Sequence, residues 1–239
     1  MSNIITDLSV AEEANLSSIL SNAFSLNTTL TCISNLGNNL KLIDPTAFEQ
    51  CGVQKITLPS SLLGNDGDGI SGYGLNNTIT LSSLTYSNGI KAIAPSAMID
   101  CQSLLADISF PSTLTAIHDH AFAETYDVFP RITNLNLSTL NKLSTIDEYA
   151  FYNSISSLDQ NTLVLPSSLT SIGAAAFAYR RDAYTQILSS LLQVNDALLN
   201  DNLEQIGPSA FMFNHFKTIE FGNKLSLIDD YAFACPKYK

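Results

Sequence analysis

The sequence predicts a repeat solenoid of short parallel strands and turns, mostly β and poor in α/β units. Two patterns predict it. One is a recurrent aliphatic-x-x-x-Ala-Phe motif. The other is a short alternating run that precedes most copies of the motif. Composition agrees: 239 residues, 45% hydrophobic and only 14% charged, bury a substantial core and are unlike a disordered chain.

The motif reads Ile43-Asp-Pro-Thr-Ala47-Phe48, and returns as Ile93-Ala-Pro-Ser-Ala97-Met98 with Met for Phe. Then come Ile117-His-Asp-His-Ala121-Phe122, Ile146-Asp-Glu-Tyr-Ala150-Phe151 and Ile172-Gly-Ala-Ala-Ala176-Phe177. Ile206-Gly-Pro-Ser-Ala210-Phe211 and Ile228-Asp-Asp-Tyr-Ala232-Phe233 follow, and Ile19-Leu-Ser-Asn-Ala23-Phe24 is a weaker first copy. These are about eight copies, mostly spaced by roughly 22–34 residues, the period of a solenoid. The interval from Phe48 to Met98 is about two periods long, so it hides a degenerate repeat or carries an insertion.

The alternating runs are Ile56-Thr-Leu58-Pro59, Ile108-Ser-Phe110-Pro111 and Leu163-Val-Leu165-Pro166, with looser forms at Ile79-Thr-Leu81, Leu135-Asn-Leu137 and Ile219-Glu-Phe221. Alternation of period two is a strand signature, and Pro ends the strand because it lacks an N–H. Each repeat thus reads as strand, turn, second short extended segment and Ala-Phe turn. Ala allows close approach, and the Phe residues align in a buried column that only neighbouring coils can cover. The residue after the Ile is Asp44, His118, Asp147, Gly173, Gly207 or Asp229 in six of seven clear copies, with Ala94 the exception. Those residue types tolerate positive φ, so a left-handed turn is expected there.

These residues resemble the BspA-like, or Treponema pallidum type, leucine-rich repeats, whose repeat reads Leu-x-x-Ile-x-Leu-Pro-x-x-Leu-x-x-Ile-Gly-x-x-Ala-Phe-x-x-Cys. Residues 163–177 match most of it, and the resemblance extends over roughly residues 19–235. Met98, Ala94 and the irregular repeat lengths depart from it. The resemblance implies a leucine-rich-repeat superhelix and a non-enzymatic binding role in adhesion or protein recognition. It also implies a cell-surface or secreted location. Cys51 and Cys101 fall at the family's Cys position, which implies small buried packing residues. Cys32 and Cys235 are out of register, and no Cys-x-x-Cys pair points to zinc or redox chemistry.

The expected organisation is an N-terminal cap with a degenerate first repeat over residues 1–29, then leucine-rich repeats over 30–239, with insertions near 63–78 and 178–202. Residues 6–20 place apolar side chains at helical spacing behind Thr6 and Asp7, which predicts a capping helix, a degenerate repeat being the alternative. The insertion over 181–200 reads as a helix or a stretched repeat. Past Phe233 no cap pattern follows, so a continuing chain or pairing with another copy is expected.

A net charge of −11 disfavours nucleic acid and anionic membrane surfaces. No apolar run has the length of a membrane span, so no membrane insertion is expected. Residues 1–8 lack a signal-peptide pattern, which favours an intracellular scaffold or effector as the alternative to the surface role. Asp66-x-Asp68-Gly69 resembles the start of a calcium loop, but Asn77 stands where a terminal Glu is needed. His118-Asp119-His120 has no third ligand, since His215 belongs to a distant coil. No nucleophile elbow or phosphate loop occurs, so neither an enzyme nor a cofactor is expected. Asn-x-Ser/Thr sequons at Asn15, Asn27, Asn76 and Asn136 match the number that chance gives in so Asn- and Ser-rich a chain.

The outward positions of the strands remain. Thr57, Thr80, Ser109, Asn136, Val164 and Glu220, flanked by Lys55, Thr78, Asp107, Asn134, Thr162 and Thr218, form the expected ligand face. It is neutral and rich in hydroxyls and amides, suited to a protein or glycan ligand. Thr on such a face also reflects strand preference alone.

Overall fold

A computed structural model describes residues 4–44, 46–62, 75, 80–99, 107–123, 132, 135–155, 162–179 and 193–235. The calcium-like loop, Thr78, Cys101 and Asn134 lie outside them. The described residues contain strands and turns, with no helix.

All strand pairs are parallel. One side of the solenoid carries β1 (Asp7–Val10), β3 (Cys32–Leu36), β5 (Lys55–Leu58), β6 (Ser83–Tyr86) and β8 (Asp107–Ser109) in one sheet. Further along, β11 (Thr162–Val164), β13 (Gln193–Leu198) and β15 (His215–Glu220) form another. The second side carries the Ile of each motif. There β2 (Ser18–Ile19) pairs with β4 (Leu42–Ile43). A six-stranded ribbon then runs through β7 (Ala92–Ile93), β9 (Ala116–Ile117), β10 (Thr145–Ile146), β12 (Ser171–Ile172), β14 (Gln205–Ile206) and β16 (Leu227–Ile228). Each of these strands is only two residues long, so the ribbon stands on its register with its neighbours.

The Ala-Phe turn forms the third side, and its backbone explains the motif. The N–H of each Phe donates to the Ala carbonyl of the next coil, as from Phe122 to Ala150, Phe151 to Ala176 and Phe177 to Ala210, each at 2.8 Å. A larger side chain in place of Ala150, Ala176 or Ala210, all fully buried, would hold the coils apart. The Phe rings stack as expected: Phe122, Phe151, Phe177, Phe211 and Phe233 follow one another at 5.2–5.4 Å between centroids, with near-parallel planes. Phe24 and Phe48 stack in the same way at 5.3 Å.

The left-handed residue falls two places later than the sequence suggested. Neither Asp44, His118, Asp147, Gly173, Gly207 nor Asp229 has positive φ. Ser96, His120, Tyr149, Ala175, Ser209 and Tyr231 do, with φ between 49° and 59°. The N–H of each following Ala bonds back three residues, for example Ala97 to Ala94 at 3.3 Å and Ala210 to Gly207 at 3.3 Å. This is a type II turn, with Pro95 and Pro208 at its second position and the left-handed residue at its third. Gly173 and Gly207 serve another need. A Cβ on Gly173 would stand 2.5 Å from the backbone nitrogen of Glu148, and one on Gly207 would stand 2.9 Å from that of Ala174. Close approach between coils, not handedness, selects glycine there.

The predicted capping helix is replaced by a coil of the common design. β1 pairs with β3, and the carbonyl of Thr6 accepts from Thr31 and Cys32. Helical spacing misled because the coil's corners produce it. Ile33, Leu36, Leu40 and Ile43 are all buried at intervals of three or four residues, yet they lie on two sides of a coil. Of the strand expected at Ile79-Thr-Leu81, Ile79 lies outside the described residues, and Thr80 and Leu81 are not in a strand. Its place in the sheet is taken by Ser83–Tyr86, whose Leu84 and Tyr86 point inward. The stretched-repeat reading of the 181–200 insertion is supported over β13, which pairs with both β11 and β15.

Phe151 is 1% exposed and sandwiched between two rings, so Phe151→Ala is expected to cost about 3–5 kcal/mol in chemical denaturation. Phe24, partly buried with one ring neighbour, is expected to lose clearly less on the same substitution. Gly173→Ala is expected to destabilise by about 1–3 kcal/mol in the same assay, because the new methyl meets rigid backbone.

Candidate interaction surface

On the first sheet the strand register stacks alternate positions in columns. Lys55, Ser83 and Asp107 are aligned, as are Thr57, Thr85 and Ser109. Cys32 precedes Lys55, and Asp7 precedes Cys32, in the first column. Lys55, Thr57 and Ser109 are exposed, and Thr85 is half-buried. Between them Ile56, Leu58 and Leu84 point into the core at 3% exposure or less. Strand alternation therefore separates the columns from the core as expected.

The rest of the expected face is less uniform. Thr80 lies outside a strand, and its hydroxyl donates to the Val53 carbonyl at 2.9 Å. Asn136 is exposed but also outside a strand. Its Oδ1 accepts from both the N–H and the hydroxyl of Ser138, so it closes a turn. The second sheet aligns Thr162 with Thr218 across Asp196, and Val164 with Glu220 across Leu198. Val164, Thr218 and Glu220 are exposed. The structure thus brings Lys55, Thr57, Asp107 and Ser109 together on one sheet, and Thr162, Val164, Thr218 and Glu220 on another. It keeps Thr80 and Asn136 out of both.

Sequence reasoning missed Ser83 and Thr85, the true occupants of the columns beside Lys55 and Thr57. The signal was present as Leu84-x-Tyr86, a shifted alternation. It also missed Asp7, where helical spacing over residues 6–20 predicts a helix, and Cys32 and Ser34, because the run Cys32-Ile-Ser-Asn-Leu36 breaks the period-two alternation. Here the Ser34 hydroxyl donates to Asp7 Oδ2 at 3.3 Å. Burial first, and then the neighbouring Asp7 carboxylate, pushes the Cys32 thiol above its ordinary value.

Many hydroxyls belong to the scaffold. Two residues before the motif Ile, Thr115 donates to Lys91 O, Ser144 to Thr115 O and Thr170 to Ser144 O, at 2.9–3.1 Å. Ser226 repeats the bond to Glu204 O at 3.0 Å. These side chains cap the second-side ribbon.

The Ala-Phe edge carries a different group. His118 Nδ1 lies 2.7 Å from Asp147 Oδ2, tying two coils, and His120 Nδ1 lies 3.3 Å from Asp119 Oδ2. The His120 ring stacks on Tyr149 with centroids 4.8 Å apart. Among the described residues no three His, Cys, Asp or Glu side chains converge as a metal-binding group. Cys51 is buried, donates to the Phe24 carbonyl at 2.7 Å, and has its pKa raised chiefly by that burial. It is the small packing residue that its repeat position implied.

A family model for the BspA type leucine-rich repeat region matches in 6 copies, over residues 2–124, 68–199 and 161–239. The chain belongs to the BspA-type leucine-rich-repeat family. A solved leucine-rich repeat protein from Bacteroides ovatus is similar at 18% identity. That match covers 93% of this chain and 74% of the other, with a TM-score of 0.25. No curated protein matches the chain. Among the described residues no helix is long and apolar enough to cross a membrane. The fold and family therefore establish a repeat protein with extended side-chain columns, the architecture of repeat-based interaction.

One carboxylate on this scaffold gives a pH signature. Asp44 accepts from the Thr46 N–H and hydroxyl at 3.0 Å each and from Ser21 at 3.2 Å, and the Thr46 N–H above all holds its pKa below the ordinary value of 3.8. A depressed folded pKa stabilises the fold above 3.8, and the contribution is lost as pH falls through the folded value. Asp44→Asn is therefore expected to destabilise the protein at neutral pH. The gap to the parent should narrow below that range, as read by urea midpoints across pH.

Proposed function

We propose that this chain is a non-enzymatic binding protein whose ligand, a protein or a glycan, docks on the strand face of the first sheet. The observation that carries the reading is the pair of columns Lys55–Ser83–Asp107 and Thr57–Thr85–Ser109. Their strands are held in register by backbone bonds, so binding orders little besides the side chains themselves. Hydroxyl and amine groups there recognise a polar ligand through hydrogen bonds, and the residues on β11 and β15 extend the same side of the solenoid. The family adds the biological setting: adhesion or protein recognition at a microbial cell surface, or in secreted form.

An intracellular interaction scaffold or effector is the second reading. The thiols of Cys32 and Cys51 favour it, since neither forms a disulfide.

Two measurements test these readings. Antibody staining of intact and permeabilised source cells separates the locations. Signal on intact cells supports the surface role, and signal confined to permeabilised cells supports the scaffold. For the face, Thr57→Arg with Ser109→Arg is expected to weaken binding of the purified protein to host-cell surfaces or matrix proteins by about tenfold or more, by steric exclusion. Asp119→Ala on the opposite edge should leave it unchanged. Equal binding by the parent and the double variant, with unaltered circular dichroism, refutes the strand-face site.

A further inference from the structure

The left-handed position of the Ala-Phe turn forms a column of its own along one edge of the solenoid. Ser96 N–H donates to Asp119 O, His120 N–H to Glu148 O, Tyr149 N–H to Ala174 O and Ala175 N–H to Pro208 O. Ser96, His120, Tyr149, Ala175 and Ser209 therefore follow one another from coil to coil, with φ between 49° and 55°. Three of the five are small, so the turn itself needs no ring at this place. Two neighbouring interior coils nevertheless carry one each. His120 and Tyr149 stack with centroids 4.8 Å apart, and Tyr152 stands across Tyr149 at 5.3 Å and 79°. Phe122 and Phe151 already join the same two coils from inside, at 3% exposure or less. The outer rings stay accessible: the His120 side chain is 34% exposed, and Tyr149 and Tyr152 are half-buried.

Carboxylates accompany these rings. Asp119 precedes His120, and Asp147 and Glu148 precede Tyr149. Two of the three are engaged, Asp147 by His118 and Asp119 by His120. Glu148 is exposed, and its carboxylate has no hydrogen bond or ion pair among the described residues. From the first Ile to the Phe or Met, the eight Ala-Phe motifs hold Asp44, Asp119, Asp147, Glu148, Asp229 and Asp230 and no Lys or Arg. An aromatic face attracts a cation through its ring electrons. A guanidinium suits this pair of groups best, because it is flat enough to lie on a Tyr ring and forks onto a carboxylate. An ammonium is compact and strongly hydrated, and stacks less well.

We propose that this edge is a second binding site, which takes an Arg side chain of a basic polypeptide partner against the Tyr149 ring and pairs it with the Glu148 carboxylate. The net charge of −11 draws such a partner towards the chain. The site lies on a different side of the coil from the strand-face columns and stands independently of them.

Fluorescence anisotropy with a labelled peptide of alternating Gly and Arg tests it, beside a Gly-Lys peptide of the same length at the same ionic strength. The Arg peptide is expected to bind about threefold tighter or more. Tyr149→Ser should weaken its binding by about fivefold, and Tyr149→Phe, which keeps the ring, by less than about twofold. Glu148→Gln should weaken it by about threefold. Glu204→Gln, which removes an exposed charge elsewhere on the solenoid, and Thr57→Ala on the strand face should leave it unchanged. Circular dichroism of each variant should match the parent. Should Tyr149→Ser fail to fold, Glu148→Gln and the two peptides still decide. Absence of binding by the Arg peptide, equal affinity for the two peptides, or equal losses from Glu148→Gln and Glu204→Gln would each overturn the proposal. So would stronger displacement of the peptide by calcium chloride than by sodium chloride of equal ionic strength, which would mark a divalent-cation site.

Discussion

Everything in this molecule depends on the contact between one coil and the next. A single coil has no interior. Its Ile, Leu and Phe side chains are buried only because the neighbours above and below are present. The backbone follows the same rule. On the ribbon the later coil donates to the earlier, and at the Ala-Phe turn the earlier donates to the later. Both ladders require one fixed distance between coils. Fully buried Ala, close-approach glycines such as Gly173 and Gly207, and the Phe rings at 5.2–5.4 Å are three ways of meeting that distance.

The constraint divides the polar residues into two groups. Hydroxyls at a fixed place in the coil, such as Thr115, Ser144 and Thr170, donate to the carbonyl of the preceding coil and are part of the ladder. Asn136 and Asp44 close turns through their side-chain oxygens. Abundant Ser, Thr and Asn therefore do not mark a sticky surface by themselves. Only positions whose side chains leave the coil without returning to its backbone are available to a ligand, and Thr57, Thr85 and Ser109 stand at such positions on the first sheet.

The sequence made the repeat legible because a stacking contact must recur at every period. The column of Phe, the small Ala and the inward residues of β5 were all visible for that reason. Local conformation was less legible. Asp, Gly and His after the motif Ile suggested a left-handed residue, yet the left-handed positions are Tyr149, Ala175 and Ser209. Residue preference is weak there because the hydrogen bonds on both sides impose the turn. The first coil was misread because corners at intervals of three and four residues mimic a helix. The face was only partly legible, since Ser83 and Thr85 follow a shifted alternation that pairing with β5, and not local pattern, selects.

The same logic favours the strand side over the Ala-Phe edge as the place where side chains can vary. At that edge each coil uses left-handed residues, close backbone approach and alternate N–H groups to hold its neighbour, so most substitutions there disturb the stack. His118 and Asp147 illustrate this, as their side-chain hydrogen bond joins two coils. On the strands the backbone is equally committed to pairing, but alternate side chains point away from the core. That of Ser34 bonds to the coil before it, whereas some, such as those of Thr57 and Ser109, are exposed and apart from the core that sets the coil spacing. Those positions can change without changing the coil spacing. A scaffold that must keep one distance throughout can alter its chemistry only where the side chains are not part of that distance, and in this chain the strand face is where most of that freedom lies.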